Sequence, residues 1–296
     1  MTLDPSILTS IDIIAIANVL VHIPNDTLIN QTVVIDILDI INNVLNVDPD
    51  KLKKSQNDGS ATNRLLEVVD TISHTLNLEN QSSLQFVKEN ILMNVFDITS
   101  MSSPVKGIQI EAGKVQSLNT SNIQNLMADT NITVGKIDAA IILPDIKNST
   151  RVAFSIYRNW NLFSVRSDIR EYLPNSRVMS ASISVDGIPI YSLGQYRVQA
   201  LFFPRMESEN NECGYWDYDL HDKSGGWATN GCYLNRTEYG RHVCVCDHLT
   251  NFAVLVNIGG QDTLVDSLAI NIITWIGLIL SIVGLSLTVL SFFRFK

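Results

Sequence analysis

Several absences narrow the reading of this chain before anything it contains. Among 296 residues, 21 Lys and Arg are outnumbered by 30 Asp and Glu, a formal charge of -9. No basic patch is available to displace counterions from phosphates, so nucleic acid is excluded as a partner. There is no glycine-rich phosphate loop and no helical pair of metal-binding histidines; no cofactor and no resident metal are expected. Cysteine is scarce and confined, with all four between Cys213 and Cys246. That clustering is expected of a local disulfide framework in an oxidising compartment. The start, Met-Thr-Leu-Asp-Pro, has no basic stretch leading into an apolar run and does not read as a signal peptide. Charge and histidine are absent altogether from Ser267 to Phe293.

That last absence defines a membrane span. At about 1.5 Å rise per residue the run covers a hydrocarbon core of about 30 Å, and soluble helices of this length carry a polar stripe that it lacks. Trp275 lies inside the run and not at its rim, a departure from the aromatic-belt pattern. Asp262 and Asp266 precede it, and Arg294 and Lys296 follow. The positive-inside tendency then sends the C-terminus to the cytoplasm and everything before about residue 266 outside. Sequons at Asn25, Asn30, Asn80, Asn119, Asn131, Asn148 and Asn235 agree with an extracellular location. The chain stops a few residues past its span, so a longer protein is expected at both ends.

With 46% apolar residues the chain can bury a substantial core. Up to about Ser100 it reads as helical: Val33, Ile37, Ile40, Ile41, Val44 and Leu45 recur at three and four, as do Leu65, Val69, Ile72 and Leu76 after Asn63, a candidate N-cap. Asp48-Pro-Asp and Ser55 to Ser60 carry loop signals. From about Gly107 the period becomes two. Val152, Phe154 and Ile156 alternate with Arg151, Ser155 and Tyr157, and Met179, Ala181, Ile183 and Val185 with Ser180, Ser182 and Ser184, which predicts half-buried strands. Further strand-like runs are Ile137 to Leu143, Tyr196 to Phe203 and Thr250 to Ile258, a density that suggests an antiparallel sandwich. In the last run Phe252, Val254, Val256 and Ile258 are apolar on one parity and Ala253 and Leu255 on the other, predicting a central strand covered on both faces. The fold class is therefore α+β: an N-terminal helical bundle subdomain (1–100), an antiparallel β-sandwich (101–262), one transmembrane helix (266–293) and the start of a cytoplasmic side (294–296).

Cys244 and Cys246 point in similar directions on an extended strand, so a bond between them would be strained. Each pairs with Cys213 or Cys232, which leaves two connectivities. Either clamps the chain upstream of His248 to a loop that contains Trp216 and Trp227. A zinc site of Cys244, Cys246 and His248 is the other reading, disfavoured by an oxidising setting. A neutral imidazole, with a pKa of about 6.5, can take a proton from a hydroxyl at extracellular pH. Thr250 Oγ lies beside the carbonyl carbon of Leu249, and attack there gives an amide-to-ester shift; hydrolysis of the ester parts Leu249 from Thr250. An unstrained amide reacts far too slowly, so the fold must distort this peptide and supply an oxyanion donor. By itself a His-Leu-Thr triplet is a weak signal, and His22, His74, His221 and His242 have no spacing that singles them out.

The wider pattern is specific. Cys213-Gly-Tyr-Trp216, Gly225-Gly-Trp227-Ala-Thr-Asn-Gly-Cys232 and Cys244-Val-Cys246-Asp-His248-Leu249-Thr250-Asn-Phe252-Ala-Val254 together resemble the proteolysis-site (GPS) motif of adhesion G-protein-coupled receptors, here spanning 213–258. Upstream, Arg151 to Tyr157 with Asn161-Leu-Phe163, and Asn175 to Ser182, look like the sandwich of the autoproteolysis-inducing (GAIN) domain of these receptors; the helical third matches by pattern. The resemblance implies pairing of Cys213 with Cys244 and of Cys232 with Cys246. It implies His248 as general base, Leu249 as the residue before the cut and Thr250 as nucleophile in a single-turnover self-cleavage, not a turnover enzyme. It further implies a tethered agonist made of Thr250, Asn251, Phe252, Ala253, Val254, Leu255 and Val256, anchored by Phe252 and Leu255, and the first span of a seven-helix bundle. Its partners would be membrane lipid, the chain's own cleaved fragment held non-covalently, an unidentified extracellular ligand or matrix protein, and a G protein reached through spans this chain lacks. Two alternatives stand beside it: a polycystin-like membrane protein, which also carries such a motif before a span, and a non-cleaving adhesion stalk.

Overall fold

The computed structural model describes residues 4–22, 28–99, 101–111, 113–123, 137–165, 172–186, 188–206, 208, 210–238, 240–257 and 262–294. The chain divides into two units, 1–256 and 257–296. The first opens with helices α1 (Ser10–Leu20), α2 (Gln31–Leu45), α3 (Pro49–Gly59) and α4 (Ala61–Thr75). Thr9 and Asp12 form a reciprocal cap on α1, the Asn30 side chain accepts from Thr32 N at the head of α2, and Asp48 caps α3 with Pro49 in its first turn. Each cap gives an acceptor to amides with no intrahelical partner. Ile13, Ile41, Leu52, Leu65, Leu66 and Ile72 close into a helical core.

Among the described residues fifteen strands follow: β1 (Ser83–Val87), β2 (Ile91–Asp97), β3 (Gly107–Glu111), β4 (Lys114–Leu118), β5 (Ile137–Ile142), β6 (Ser149–Tyr157), β7 (Tyr172–Pro174), β8 (Val178–Val185), β9 (Ile188–Ile190), β10 (Val198–Phe202), β11 (Asn211–Asp217), β12 (Gly226–Ala228), β13 (Cys232–Glu238), β14 (Arg241–Cys246) and β15 (Asn251–Asn257). One sheet runs β1-β2-β6-β8-β15-β11-β12, with β7 on β15 and β9 on β8; the other runs β13-β14-β10-β5-β3-β4. Three layers result. Phe154, Met179, Ile183, Phe252 and Val254 of the first sheet meet Ile108, Ile141, Ala200 and Phe202 of the second, while Ala153, Ala253 and Leu255 on its other face belong to the helical core. A helical part followed by an antiparallel sandwich is the architecture expected from the sequence, and β15 is covered on both faces as its doubled apolar parity predicts.

Four details differ. The helices end at Thr75, and β1 and β2 occupy residues expected to be helical. β2 lies between β1 and β6 and is buried at Ile91, Met93, Asn94, Val95 and Phe96, so no alternation marked it as a strand. Residues 55–59, expected as loop, are the end of α3, because the Asp48 cap and Pro49 start a helix that turns only at Ser60 (φ 50°). Asn63 is not an N-cap, since α4 begins two residues earlier and Asn63 is fully buried within it. Finally, β6 and β8 are not half-buried: Ser155, Ser182 and Ser184 are buried beneath α4. Ser73 of α4 reaches Ser182 Oγ at 3.1 Å, and His74 Nδ1 reaches Ser184 Oγ at 2.9 Å. Short hydroxyls paired across the interface make a polar face dockable.

In the second unit a helix runs from Asp262 to Arg294. Its segment Ile273–Ser291, with a mean hydropathy of 2.3, is long and apolar enough to cross a membrane. Ser286, Thr288 and Ser291 donate to the carbonyls four residues earlier, at 2.7–2.8 Å, so each hydroxyl is satisfied inside the helix.

Candidate functional site

The two disulfides are Cys213–Cys244 and Cys232–Cys246, with Cα separations of 5.6 and 4.2 Å. This is the connectivity implied by the resemblance, and it removes the zinc reading by taking both sulfurs of Cys244 and Cys246. The bonds do different jobs. Cys232 and Cys246 are register partners on β13 and β14, whereas Cys213–Cys244 ties β11 of one sheet to β14 of the other.

The chain leaves β14 at Cys246 and enters β15 at Asn251. Between them its backbone is held at each step: Asp247 N donates to Gly231 O at 3.1 Å, Leu193 N to Asp247 O at 2.9 Å and Leu249 N to Tyr191 O at 2.7 Å. Ala181 N reaches Thr250 O at 3.3 Å. Leu249 is buried in the inter-sheet core. The peptide between Leu249 and Thr250 is thus flanked by two backbone bonds, one to Tyr191 just past β9 and one from Ala181 of β8.

His248 Nδ1 lies 2.9 Å from Asp247 Oδ1. With the proton on Nδ1, donated to the carboxylate, Nε2 keeps its lone pair and can act as a base. Nε2 is buried and without a hydrogen-bond partner among the described residues. The ring stands edge-on to Tyr215, with centroids 4.0 Å apart, and tilts toward Phe252 at 6.0 Å. Asp247 is an orienting group that the sequence reading missed: neighbours on an extended strand point apart, and only the turn after β14 brings them together.

Thr250 Oγ1 donates to the carbonyl of Trp216 at 2.8 Å. The structure therefore does not join His248 and Thr250 by a hydrogen bond. It fixes each beside the Leu249 peptide by a separate partner. Trp216 is fully buried, and its indole packs edge-on against Trp227 and Phe163, each at 5.5 Å. Its Nε1 donates to Asn63 Oδ1 of α4 at 2.8 Å, while Asn63 Nδ2 donates to the carbonyls of Tyr218 at 3.2 Å and Lys223 at 3.0 Å. Gly225 passes this cluster with φ +77°, and a Cβ there would strike Asn63 Oδ1 and the Trp216 ring. Gln56 of α3 donates to Ser224 O and accepts from Thr62 Oγ1 at 2.7 Å. Sequence reasoning offered Asn63 only as an N-cap and did not single out Gln56.

β15 is gripped along its length. Cys213, Gly214 and Tyr215 of β11 register with Val254, Ala253 and Phe252; on the other side Asn251 and Phe252 pair with Ser180 and Met179 of β8. Farther along, Asn175 N donates to Val254 O at 2.7 Å and Val254 N donates to Ser176 Oγ at 2.9 Å. Asn251 Nδ2 donates to Tyr218 OH at 2.8 Å, and desolvation of that hydroxyl holds its pKa well above the ordinary tyrosine value, so it stays a neutral acceptor. Phe252, Ala253, Val254 and Leu255 are all buried; the side chains of 257 onward in this run lie outside the description. Of the sequons, Asn30, Asn80, Asn148 and Asn235 are exposed and Asn119 is half-buried, while Asn25 and Asn131 fall outside the described residues.

These features define a class: a helix-backed β-sandwich, stapled by two disulfides around a buried His-Leu-Thr junction, ahead of a membrane-length helix. A family model described as "GPS: GAIN subdomain B" matches residues 41–260, and the chain belongs to that family. Over 242 residues it is 27% identical to Adhesion G-protein coupled receptor G2 of Homo sapiens, covering 79% of this chain and 23% of the relative. It is 25% identical over 247 residues to Adhesion G protein-coupled receptor L1 of Rattus norvegicus, covering 77% of this chain and 15% of that one. Among solved structures, the full extracellular region of zebrafish Gpr126/Adgrg6 superposes with a TM-score of 0.62 at 22% identity, covering 82% of this chain and 32% of the other. That likeness concerns the fold. The chain spans less than a quarter of the length of these curated relatives.

Proposed function

We propose that this chain is the self-cleaving extracellular domain, with its agonist strand and first membrane span, of an adhesion-type receptor. The observation that carries the reading is His248 Nε2, buried and unpartnered two residues from Thr250 while Nδ1 is fixed on Asp247. Turning the Thr250 hydroxyl from Trp216 O toward His248 starts the reaction. Nε2 takes the hydroxyl proton as Oγ bonds to the Leu249 carbonyl carbon. The C–N bond then breaks, the Thr250 nitrogen receives the proton, and an ester joins Leu249 to Thr250 Oγ. Water hydrolyses it to a Leu249 carboxylate and a free Thr250 hydroxyl. No net oxidant or cofactor enters, and each molecule reacts once.

After the cut β15 stays in place through its ladders and its buried side chains from Asn251 to Leu255, giving a non-covalent pair. Residues Thr250 to Val256 would act on the receptor's membrane bundle once pulled free. The domain would lie outside the cell and Arg294 on the cytoplasmic side, with lipid around the span. A G protein would be reached through further membrane spans of the receptor, and an extracellular ligand or matrix protein would act on its outer part. A non-cleaving stalk is the second reading, favoured by the Thr250 bond to Trp216 O, which occupies the nucleophile.

Denaturing gels separate the two. The parent chain expressed in an oxidising host should run as two bands, with a new N-terminus at Thr250 by mass spectrometry, and Thr250→Ala and His248→Ser should each run as one. A single band from the parent favours the stalk, and persistent scission of Thr250→Ala would refute the nucleophile.

A further inference from the structure

A surface cleft of about 530 Å³ opens at one end of the sandwich, lined by Asp138, Arg158, Arg177, Phe203, Pro204 and Arg205. Both sheets build it: Arg158 follows β6, Arg177 precedes β8, Asp138 lies in β5 and Phe203 to Arg205 follow β10. Half the lining is arginine in a chain of net charge -9. The one carboxylate of the lining, Asp138, pairs with Arg177 at 3.3 Å, which leaves two guanidinia without an anion there. Arg158 is exposed, and its guanidinium has no hydrogen bond or ion pair among the described residues. Burial, and then the charge of Arg177, lower the pKa of Arg205; an incoming anion would relieve that repulsion.

The site is built in advance. Arg205 lies 4.4 Å over the Trp160 ring and donates Nη2 to Arg158 O at 3.1 Å. Its backbone N–H donates to Asn175 O at 2.7 Å, and Met206 N donates to Asn175 Oδ1 at 2.9 Å. Asn175 is itself fully buried, so the arginine loop is anchored to the core. Phe203, 49% exposed, offers a flat apolar face beside the cations.

We propose that this cleft binds a sulfated glycan, with sulfates in the guanidinium forks and a sugar face on Phe203. Planar guanidinia match such oxyanions through paired donors, and the volume falls within the roughly 300–1,000 Å³ of ordinary ligand sites. An acidic peptide fits less well. The strands that build the cleft, β5, β6, β8 and β10, each have a neighbour on both sides, so no free edge is available for an extended chain to join. The inference stands apart from cleavage at Leu249.

Calorimetric titration of the full chain in neutral detergent micelles with a heparin hexasaccharide tests it. Binding should occur and weaken as salt rises. Arg158→Ala with Arg205→Ala should weaken it by about tenfold or more, and Arg158→Ala alone by several-fold. The single variant changes an exposed side chain and so keeps the test open should the double one fold poorly, with an unchanged melting temperature as its check. Absence of binding by the parent, equal binding by both variants, or equally tight binding of hexaglutamate or of the desulfated hexasaccharide would each overturn the assignment.

Discussion

The carboxamide of Asn63 joins the helical layer to the cysteine-rich loop through the Trp216 indole and two carbonyls. Asn63→Ala would leave the buried Trp216 N–H without its acceptor and two part-buried carbonyls without a donor, beside a void. An unmet buried group costs about 1–3 kcal/mol, and relaxation of Gly225 and Lys223 would recover part of that. We expect a loss of about 3 kcal/mol in the unfolding free energy measured by urea denaturation; a loss below about 1 kcal/mol would mean that water replaces the amide and that the clasp is incidental. Such residues were not legible in the sequence. Asn63 and Trp216 are 153 positions apart, and the local signal at this asparagine pointed to an N-cap and not to a contact across the molecule. The cysteine pairing was legible only through the wider motif, since Cys213 and Cys244 are 31 residues apart, whereas His248 and Thr250 drew notice because the proposed self-cleavage needs a base and a hydroxyl close along the chain. Asp247 lay in full view beside His248 and was passed over, since its role arises from a turn and not from a strand.

Legibility at the level of elements followed burial. β15 declared itself because both of its parities are apolar, whereas β2, equally covered, carries Asn94 and a mixed run that fits either period. α3 was obscured by polar residues that the cap and the Gln56 contacts turn into a helix. For β15 the same burial makes a measurable claim. Its Val254 N–H is satisfied by a side chain, Ser176 Oγ, and not by a ladder partner. Ser176 is itself fully buried, so no solvent stands ready to replace the hydroxyl. Ser176→Ala should therefore cost about 1–3 kcal/mol, read directly at this strand as amide hydrogen exchange at Val254 faster by about tenfold to a hundredfold. Unaltered exchange at Val254, with the fold intact, would show that β15 is held by its β11 partners alone.

For the molecule as a whole, the order of helices, sandwich and apolar helix was visible in the shifting period of the sequence, while the way the helices cover the sheet was not, because they dock on serines. That arrangement decides how a cut chain behaves. β15 contributes Phe252 and Val254 to the core between the sheets and Ala253 and Leu255 to the core beneath the helices. Each large side chain is worth about 1.5–3 kcal/mol in burial, so withdrawal of the strand opens both cores at once and removes the packing around Trp216 and Trp227. If the chain is cut after Leu249, release of the C-terminal piece and collapse of the sandwich must be one event. In a urea titration of the cleaved full chain in detergent micelles, release of that piece from an affinity-held N-terminal piece should share its midpoint with the tryptophan fluorescence change. The uncut Thr250→Ala chain should show the fluorescence transition with no release. Release preceding the fluorescence change by about 1 M urea, about 1–3 kcal/mol on the usual slopes, would mean that β15 leaves a sandwich that survives without it and is not retained by the two cores.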